Sequence, residues 1–174
     1  MSHIVELGDP ILRQPTQPVA DVQSAETKLA IDRMVTTLRE EKGIGIAAPQ
    51  VGIDQQIFIV APSQKIERPY TNLETGLVVI NPTISILSDD ITHEWEGCLS
   101  IPGIRGYVPR QCNILIEYTD AMGNFRSETY TEFTARIFLH EYDHLVGVVF
   151  LDRIEKNTDI ITDGYYAKIM EGNE

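Results

Sequence analysis

The sequence His140-Glu141-Tyr142-Asp143-His144 places two histidines four residues apart, with a glutamate directly after the first. On a helix, positions i and i+4 lie on the same face one turn apart, so both imidazoles can bind one metal ion. The adjacent Glu141 can then move protons for a water that the metal activates. The alternative is a surface helix with two solvated histidines, which is disfavoured because the chain has only 4 histidines in all.

Two histidines leave a tetrahedral metal site incomplete, and Cys98 is the candidate for the next ligand. It lies in the sequence Glu96-Gly97-Cys98-Leu99-Ser100, where Gly97 lets a ligand or a backbone approach closely. A lone cysteine is more often a small buried apolar residue, so both interpretations stay open on these residues alone. The other cysteine, Cys112, falls in an alternating strand pattern and is predicted to lie in the core.

The segment Gly43–Gly52 consists of small and apolar residues around one hydrogen-bonding side chain, Gln50. The carboxamide of Gln50 can donate to an oxygen that becomes negative during a reaction. Gly45 leaves an unobstructed backbone beside which an extended substrate can pair. A glycine-containing turn that leads into a strand is the alternative. The segment lacks the G-K-[ST] ending of a phosphate-binding loop, so nucleotide binding is rejected.

The histidine pair requires a helix, and the pattern predicts one over residues 132–146. Phe133, Ile137, His140 and His144 share one face of this helix, which indicates a buried helix whose histidines point at an internal site. Gly147 is suited to end it.

The remaining elements predict an α+β fold with antiparallel sheets. A first helix is expected over 24–42, capped by Asp21 or Ser24 and ended by Gly43. Another helix is expected near 159–170, although Gly164 weakens it. A polar surface loop is expected at 62–75. The strands, with a hairpin turn at 120–123, are predicted at 56–61, 77–81, 83–87, 112–119 and 124–131.

The composition is that of an ordinary globular protein, and 174 residues are enough for a single domain spanning 1–174. The net charge of −12 and the lack of Lys/Arg clusters argue against DNA or other nucleic acid as a main partner. Two cysteines suit a reducing compartment. The start of the chain has no apolar signal segment, and apolar runs such as 57–61 are too short for a membrane span, so a cytoplasmic protein is expected.

Taken together, the three motifs resemble the signature motifs of peptide deformylases, in the same order and with similar spacing. The similarity extends to Leu7–Arg13, Ile80–Pro82 and Val108–Arg110, and covers about residues 4 to 152. It implies an α+β fold with antiparallel sheets around a central helix that bears the histidines. It also implies removal of the N-formyl group from the formyl-methionine of new polypeptides, which releases formate.

The resemblance assigns roles to the motif residues. Glu141 takes a proton from the attacking water and returns it to the leaving amine. The side chain of Gln50 and the backbone N–H of Leu99 donate to the oxyanion. Iron(II) is the metal that the resemblance implies, while zinc, nickel or cobalt also suit such ligands. The ligands are Cys98, His140 and His144.

The N-formylmethionyl peptide is expected to lie extended beside Gly45 and Gly97 and to pair through its backbone. Its methionine side chain is expected in an apolar pocket near Ile44, Phe133 and Ile137. Two of these residues, Phe133 and Ile137, lie on the histidine face of the predicted helix.

Around these groups, Asp143 and Glu96 are predicted either to orient the metal ligands or to form ordinary ion pairs, with Arg110 as the partner. The sequence departs from the family at Leu139, where glutamine is common. It also ends in an acidic stretch, Glu171–Glu174, where some bacterial members carry a basic helix that docks on the ribosome. Transient ribosome contact through this tail is therefore placed in doubt.

Two other functions fit part of the sequence. A zinc endopeptidase also uses H-E-x-x-H, but it predicts a histidine or acidic ligand downstream, and no histidine follows His144. A deformylase-like protein that binds or cleaves something else would keep the motifs and differ in the pocket rim.

Overall fold

The computed structural model of the chain describes residues 4–61 and 76–172, so the loop predicted at 62–75 lies outside the described residues. The strands are β1 (Gly45–Ala47), β2 (Ile57–Val60), β3 (Leu77–Ile86), β4 (Ile91–Cys98), β5 (Ile101–Gln111), β6 (Asn113–Thr119), β7 (Phe125–Thr131) and β8 (Ile160–Thr162). The α-helices are α1 (Ala25–Glu41), α2 (Glu132–Leu145) and α3 (Asp163–Met170). Short 3₁₀ helices cover Pro10–Arg13, Ala48–Val51, Phe150–Arg153 and Asn157–Asp159.

The strands form two sheets in which every pairing is antiparallel. One sheet has the order β1-β2-β3-β6-β7 and the other has the order β4-β5-β8. Helix α2 contacts β1, β2, β6 and β7 of the first sheet and β5 of the second. The prediction of an α+β fold with antiparallel sheets packed around the histidine-bearing helix is confirmed.

Helix α2 is held between the sheets by its apolar side chains. Phe138 is fully buried, packs edge-to-face on Phe58 at a centroid distance of 5.6 Å, and stacks on Tyr130 at 4.3 Å. Burial of a phenylalanine contributes roughly 1.5–3 kcal/mol, and such ring pairs add about 0.5–1.5 kcal/mol. The helix that carries the histidines is therefore a fixed part of the core.

Helix α1 packs on the other face of the β1-β2-β3 region, where Met34 and Leu38 are buried against Ile46 and Ile59. Ser24 caps its start and accepts a hydrogen bond from the Thr27 N–H at 3.1 Å. At its end, Lys42 rather than the predicted Gly43 adopts the left-handed conformation, with φ 55°. None of the helices in the described ranges combines the length and apolar character that crossing a membrane requires.

Strand β3 joins the two strands that were predicted at 77–81 and 83–87. Its pairing with β6 shifts register between Ile80 and Thr83, at the Asn81-Pro82 step, where Asn81 has φ 51°. The Asn81 side chain forms hydrogen bonds with both the N–H and the carbonyl of Val19, each at 2.8 Å. Because proline interrupts a ladder, the sequence indicated a break; the asparagine stabilises a bulge there instead.

The second sheet was not predicted, although it carries Cys98. Much of β4 is exposed and polar, and β5 contains glycine and proline, so neither has a clean alternation. The tail prediction was partly wrong. Residues 160–162 form a strand that pairs with β5, and α3 begins only at Asp163. Gly164 then lies in the first turn of α3, where a glycine weakens a helix least.

Gly147 ends α2 as predicted, in a Schellman motif. Its φ is 77°, its N–H donates to the His144 carbonyl at 3.4 Å, and the Val148 N–H donates to the Asp143 carbonyl at 2.9 Å. A Cβ at this position would lie 2.8 Å from the carbonyl carbon of Arg13. The glycine therefore provides both a left-handed turn and a close approach to the N-terminal segment.

We expect Gly147→Ala to lower the free energy of unfolding by about 3 kcal/mol, because backbone overlap adds to a left-handed strain of about 1 kcal/mol. Urea denaturation of the metal-loaded protein measures this. Gly123→Ala is the matched control, since Gly123 has φ 87° and a Cβ there has only the Gln23 side chain nearby, at 3.9 Å. Equal losses for the two variants would contradict the close approach.

Candidate functional site

Helix α2 and the end of β4 bring together the three predicted metal ligands. Donor atoms of Cys98, His140 and His144 all lie within 4.8 Å of one another. The Cys98 Sγ is 3.3 Å from His144 Nε2, and the two imidazole centroids are 5.3 Å apart. The four-residue spacing of His140 and His144 predicted that they share a helix face. The hairpin of β4 and β5 contributes the third donor, the sulfur of Cys98.

This donor set fits a divalent metal. One thiolate and two imidazoles suit zinc or a similar transition metal, and three protein donors leave a fourth position for water or substrate. His144 is 1% exposed, and its Nδ1 has no hydrogen-bond partner among the described residues. Burial lowers the pKa of His144 and thus keeps it neutral, which is the state that a metal ligand requires.

Glu96 fixes the orientation of the first histidine. Its Oε2 is 2.8 Å from His140 Nδ1, so the other ring nitrogen of His140 is left for a metal. Burial disfavours the charged form of Glu96, but hydrogen bonds from His140 and Arg110 outweigh it and hold its pKa well below the usual range. Glu96 is therefore a buried carboxylate.

Arginine side chains neutralise this buried charge. Arg110 donates to both Glu96 oxygens, from Nε at 2.9 Å and from Nη2 at 3.0 Å, and its Nη1 donates to Asp143 at 2.5 Å. Arg153 also donates to Asp143, at 2.7 and 3.1 Å. Two roles were predicted for these carboxylates, orientation of a metal ligand and ion pairing. Glu96 contacts His140 and pairs with Arg110, whereas Asp143 pairs with Arg110 and Arg153.

Sequence reasoning missed Arg136, which is 4% exposed. Its Nη1 donates to Glu96 at 2.7 Å and to the Val108 carbonyl at 2.8 Å. Arg136 lies one turn before His140 on α2, so a single cation beside an apolar helix face was the available signal. Leu139, the departure from the family pattern, packs instead in the core cluster of α2.

Glu141 lies against the first sheet. A Cβ on Gly45 would be 2.3 Å from Glu141 Oε1, so only glycine leaves room for this carboxylate. The other oxygen, Oε2, is buried without a partner among the described residues. Burial raises the pKa of Glu141 to about 7, helped by the charge of Glu96 and opposed by that of His140. A carboxyl with a pKa near neutrality can both accept and return a proton.

Gln50 lies in the 3₁₀ helix Ala48–Val51 and is 2% exposed. Its Oε1 accepts a hydrogen bond from the Ala47 N–H at 2.8 Å, which turns the amide nitrogen toward Cys98 Sγ at 3.3 Å. The carboxamide nitrogen carries two hydrogens, so a second one is available beside the cysteine. Gln50 is thus placed as a donor next to the candidate metal ligands.

An N-terminal strap, Val5–Leu7, joins the first two motifs. The Val5 N–H donates to the Gln50 carbonyl, and the Leu7 N–H donates to the Ser100 carbonyl, both at 2.8 Å. These bonds hold the Gln50 segment and the Leu99-Ser100 segment in a fixed relation.

A cleft of about 670 Å³ opens beside the candidate ligands. The predicted substrate-contact residues line it, namely Ile44, Gly45, Gly97, Phe133 and Ile137. Its walls also include Gln50, Cys98, Leu99, His140 and Glu141. The wall also contains residues that the sequence did not predict as substrate contacts, among them Arg105, Asp163 and Tyr166.

Comparison with known proteins agrees with this geometry. The family model described as polypeptide deformylase matches residues 1–159. Peptide deformylase 2 of Nostoc sp. is 44% identical over 170 residues, which is 98% of this chain and 95% of that protein. Peptide deformylase of Synechocystis sp. is 41% identical over 149 residues, covering 86% of this chain and 76% of that protein.

Solved structures show the same similarity. The crystal structure of peptide deformylase from Thermotoga maritima has a TM-score of 0.79 and 35% identity, over 90% of this chain and 99% of that one. The Synechococcus elongatus enzyme in complex with actinonin has a TM-score of 0.79 and 34% identity, over 98% of this chain and 86% of that one.

We expect Glu96→Gln to weaken zinc binding by about 10- to 100-fold, because the substitution removes the charge that orients His140 and balances the arginines. Competition with a chromophoric chelator measures the affinity. Glu94→Gln is the control. Glu94 lies on the same strand but is exposed, and its contact with Arg136 Nε is long, at 3.7 Å. Unchanged affinity in Glu96→Gln would show that the Glu96 contact is structural alone.

Proposed function

Because the chain belongs to the peptide deformylase family, enzymes that remove N-formyl groups from nascent polypeptides, we propose that its buried Cys98, His140 and His144 hold the catalytic metal. The observation that supports this most directly is the close approach of the three donor atoms, within 4.8 Å of one another. They lie beside a cleft that also contains Glu141 and Gln50.

Cys98, His140 and His144 would hold a divalent ion, which would supply a Lewis acid for activating water near neutral pH. Glu141 acts as the general base that takes a proton from the attacking water and then delivers it to the leaving amine nitrogen. A pKa of about 7, raised mainly by burial, suits both transfers. Gly45 keeps the space that this carboxylate occupies.

When the formyl carbon is attacked, negative charge forms on the formyl oxygen, and two donors stabilise this oxyanion in the proposal. One is the Gln50 amide nitrogen, which the Ala47 N–H orients through the carboxamide oxygen. The other is the backbone N–H of Leu99, next to Cys98. Donors fixed before the reaction stabilise developing charge without reorganisation, so each contributes more than a mobile donor would.

The substrate fits the cleft as an extended chain. Its backbone pairs beside Gly45 and Gly97, which present unobstructed main-chain groups. The methionine side chain enters the apolar part of the cleft at Ile44, Phe133 and Ile137. The helix that carries the histidines thereby also shapes the pocket for the residue next to the reacting bond.

Iron(II) is the metal that we propose for the working enzyme, with zinc, nickel and cobalt as ions that the same ligands accept. Since nascent chains emerge in the cytoplasm, we place the activity there. The tail has few positive charges with which to bind the phosphates of ribosomal RNA, because beyond Arg153 the sequence has only Lys156 and Lys168. Ribosome contact through the tail is therefore not part of this proposal.

The general-base role is tested with Glu141→Gln. We expect formate release from a formyl-methionyl peptide to fall by roughly 10²- to 10⁴-fold, because the amide cannot accept the proton. Metal content, measured by mass spectrometry, should stay the same. If the unaltered protein with bound metal releases no formate, the assigned reaction is wrong and a related protein acting on another amide is favoured.

Metal identity is tested by purifying the protein under argon. We expect iron as the main metal and a loss of activity in air, with oxidation of the Cys98 sulfur detected by intact mass. The zinc-substituted protein serves as the control, because zinc has no redox chemistry and should leave activity insensitive to air. Full activity of the iron form after prolonged exposure to air would contradict the proposal.

A further inference from the structure

Helix α3 lies against the cleft, and the proposed hydrolysis gives it no role. Strand β8 pairs with β5, with Ile161 opposite Arg105, and thereby delivers the start of α3 to the cleft wall. Asp163 and Tyr166 are three residues apart and so lie on one helix face. Both line the cleft together with Arg105.

The guanidinium of Arg105 is held on three sides. It rests on Gly97, where a Cβ would lie 2.6 Å from Nη1 and 2.7 Å from Cζ. Its Nε donates to Asp163 Oδ1 at 2.6 Å. Its Cζ lies 5.1 Å from the ring centroid of Tyr166, within the range of a cation–π interaction. A long, flexible side chain is thus fixed beside the residue that precedes Cys98.

This arginine still has donors to offer. Its Nη1 and Nη2 make no hydrogen bond within the part of the chain that the structure describes, and its side chain is 36% exposed. The Asp163 side chain is 48% exposed, so both charges of the pair face the cleft opening. In the proposed binding mode the peptide pairs beside Gly97, so residues downstream of its methionine can reach this pair.

We propose that Asp163 and Tyr166 are positioning residues that hold Arg105 against Gly97 and compensate its charge. The cleft wall then discriminates little between acidic and basic residues downstream of formyl-methionine. This inference rests on the proposed function, because it assigns a property to the same substrate cleft. It makes the C-terminal helix part of the substrate site.

Each positioning residue has a distinct expected effect. Asp163→Asn leaves Arg105 uncompensated, so the cleft should favour an acidic downstream residue over a basic one. Partly exposed charges interact weakly, and we expect a change of about 3- to 10-fold in that preference. Tyr166→Leu removes the ring under the guanidinium and should raise KM for longer peptides, whereas Tyr166→Phe keeps the ring and should restore the original KM.

The experiment uses the metal-loaded protein and three formyl peptides with amidated ends: formyl-Met-Ala, formyl-Met-Ala-Asp and formyl-Met-Ala-Lys. The short peptide ends before the charged position and normalises each variant. We expect the ratio of kcat/KM for the Asp and Lys peptides to rise about 3- to 10-fold in Asp163→Asn. In an Arg105→Gln background, the same substitution should change the ratio less than about twofold.

Lys168→Gln is the matched control, since Lys168 is an exposed residue of α3 outside the cleft wall. An unchanged ratio in Asp163→Asn would overturn the proposal, as would an equal change in the Arg105→Gln background or in Lys168→Gln. No formate from formyl-Met-Ala with the unaltered protein would instead overturn the proposed function, and this inference with it.

Discussion

The buried carboxylate of Glu96 is the group on which the site depends. It accepts hydrogen bonds from Arg110 on β5 and Arg136 on α2, and it contacts His140 on α2, while it lies itself on β4. A buried charge is costly unless its partners satisfy it fully, so these elements cannot shift separately. The position of the histidine pair relative to Cys98, two residues after Glu96, follows from this constraint.

The two sheets contribute different parts of the site. The five-stranded sheet provides β1, whose Gly45 gives Glu141 its space, and the apolar packing that buries Phe138 of α2. The three-stranded sheet provides Cys98, Glu96 and the arginine pairing. Helix α2 contacts both sheets, so the histidines lie where the apolar core meets an ionic network. This arrangement pairs the buried charge of Glu96 with Arg110 and Arg136 while the candidate ligands line the cleft.

The sequence predicted the residues that lie together at the candidate site better than the sheet that holds one of them. The sequence predicted the histidine pair because side chains at positions i and i+4 lie on the same face of a helix. This applies to His140 and His144, and Glu141 follows the first of them directly. Strands β4 and β5 were not predicted, because their polar residues, glycines and prolines show no regular alternation of apolar and polar side chains. The roles of Arg136 and Arg153 depend on partners 40 and 10 residues away, and no local pattern encodes such a pairing. The joined strand β3 likewise required the Asn81 side chain to meet Val19.

The strap Val5–Leu7 forms main-chain hydrogen bonds with both the Gln50 segment and the Leu99-Ser100 segment, and so holds the two segments in position. The relation between two distant motifs is therefore carried by peptide groups that every non-proline residue possesses. These two hydrogen bonds do not themselves depend on which side chains Val5 and Leu7 carry. The strap thereby fixes the relation between two segments that line the cleft, Gln50 and Leu99, through contacts that no side-chain motif encodes.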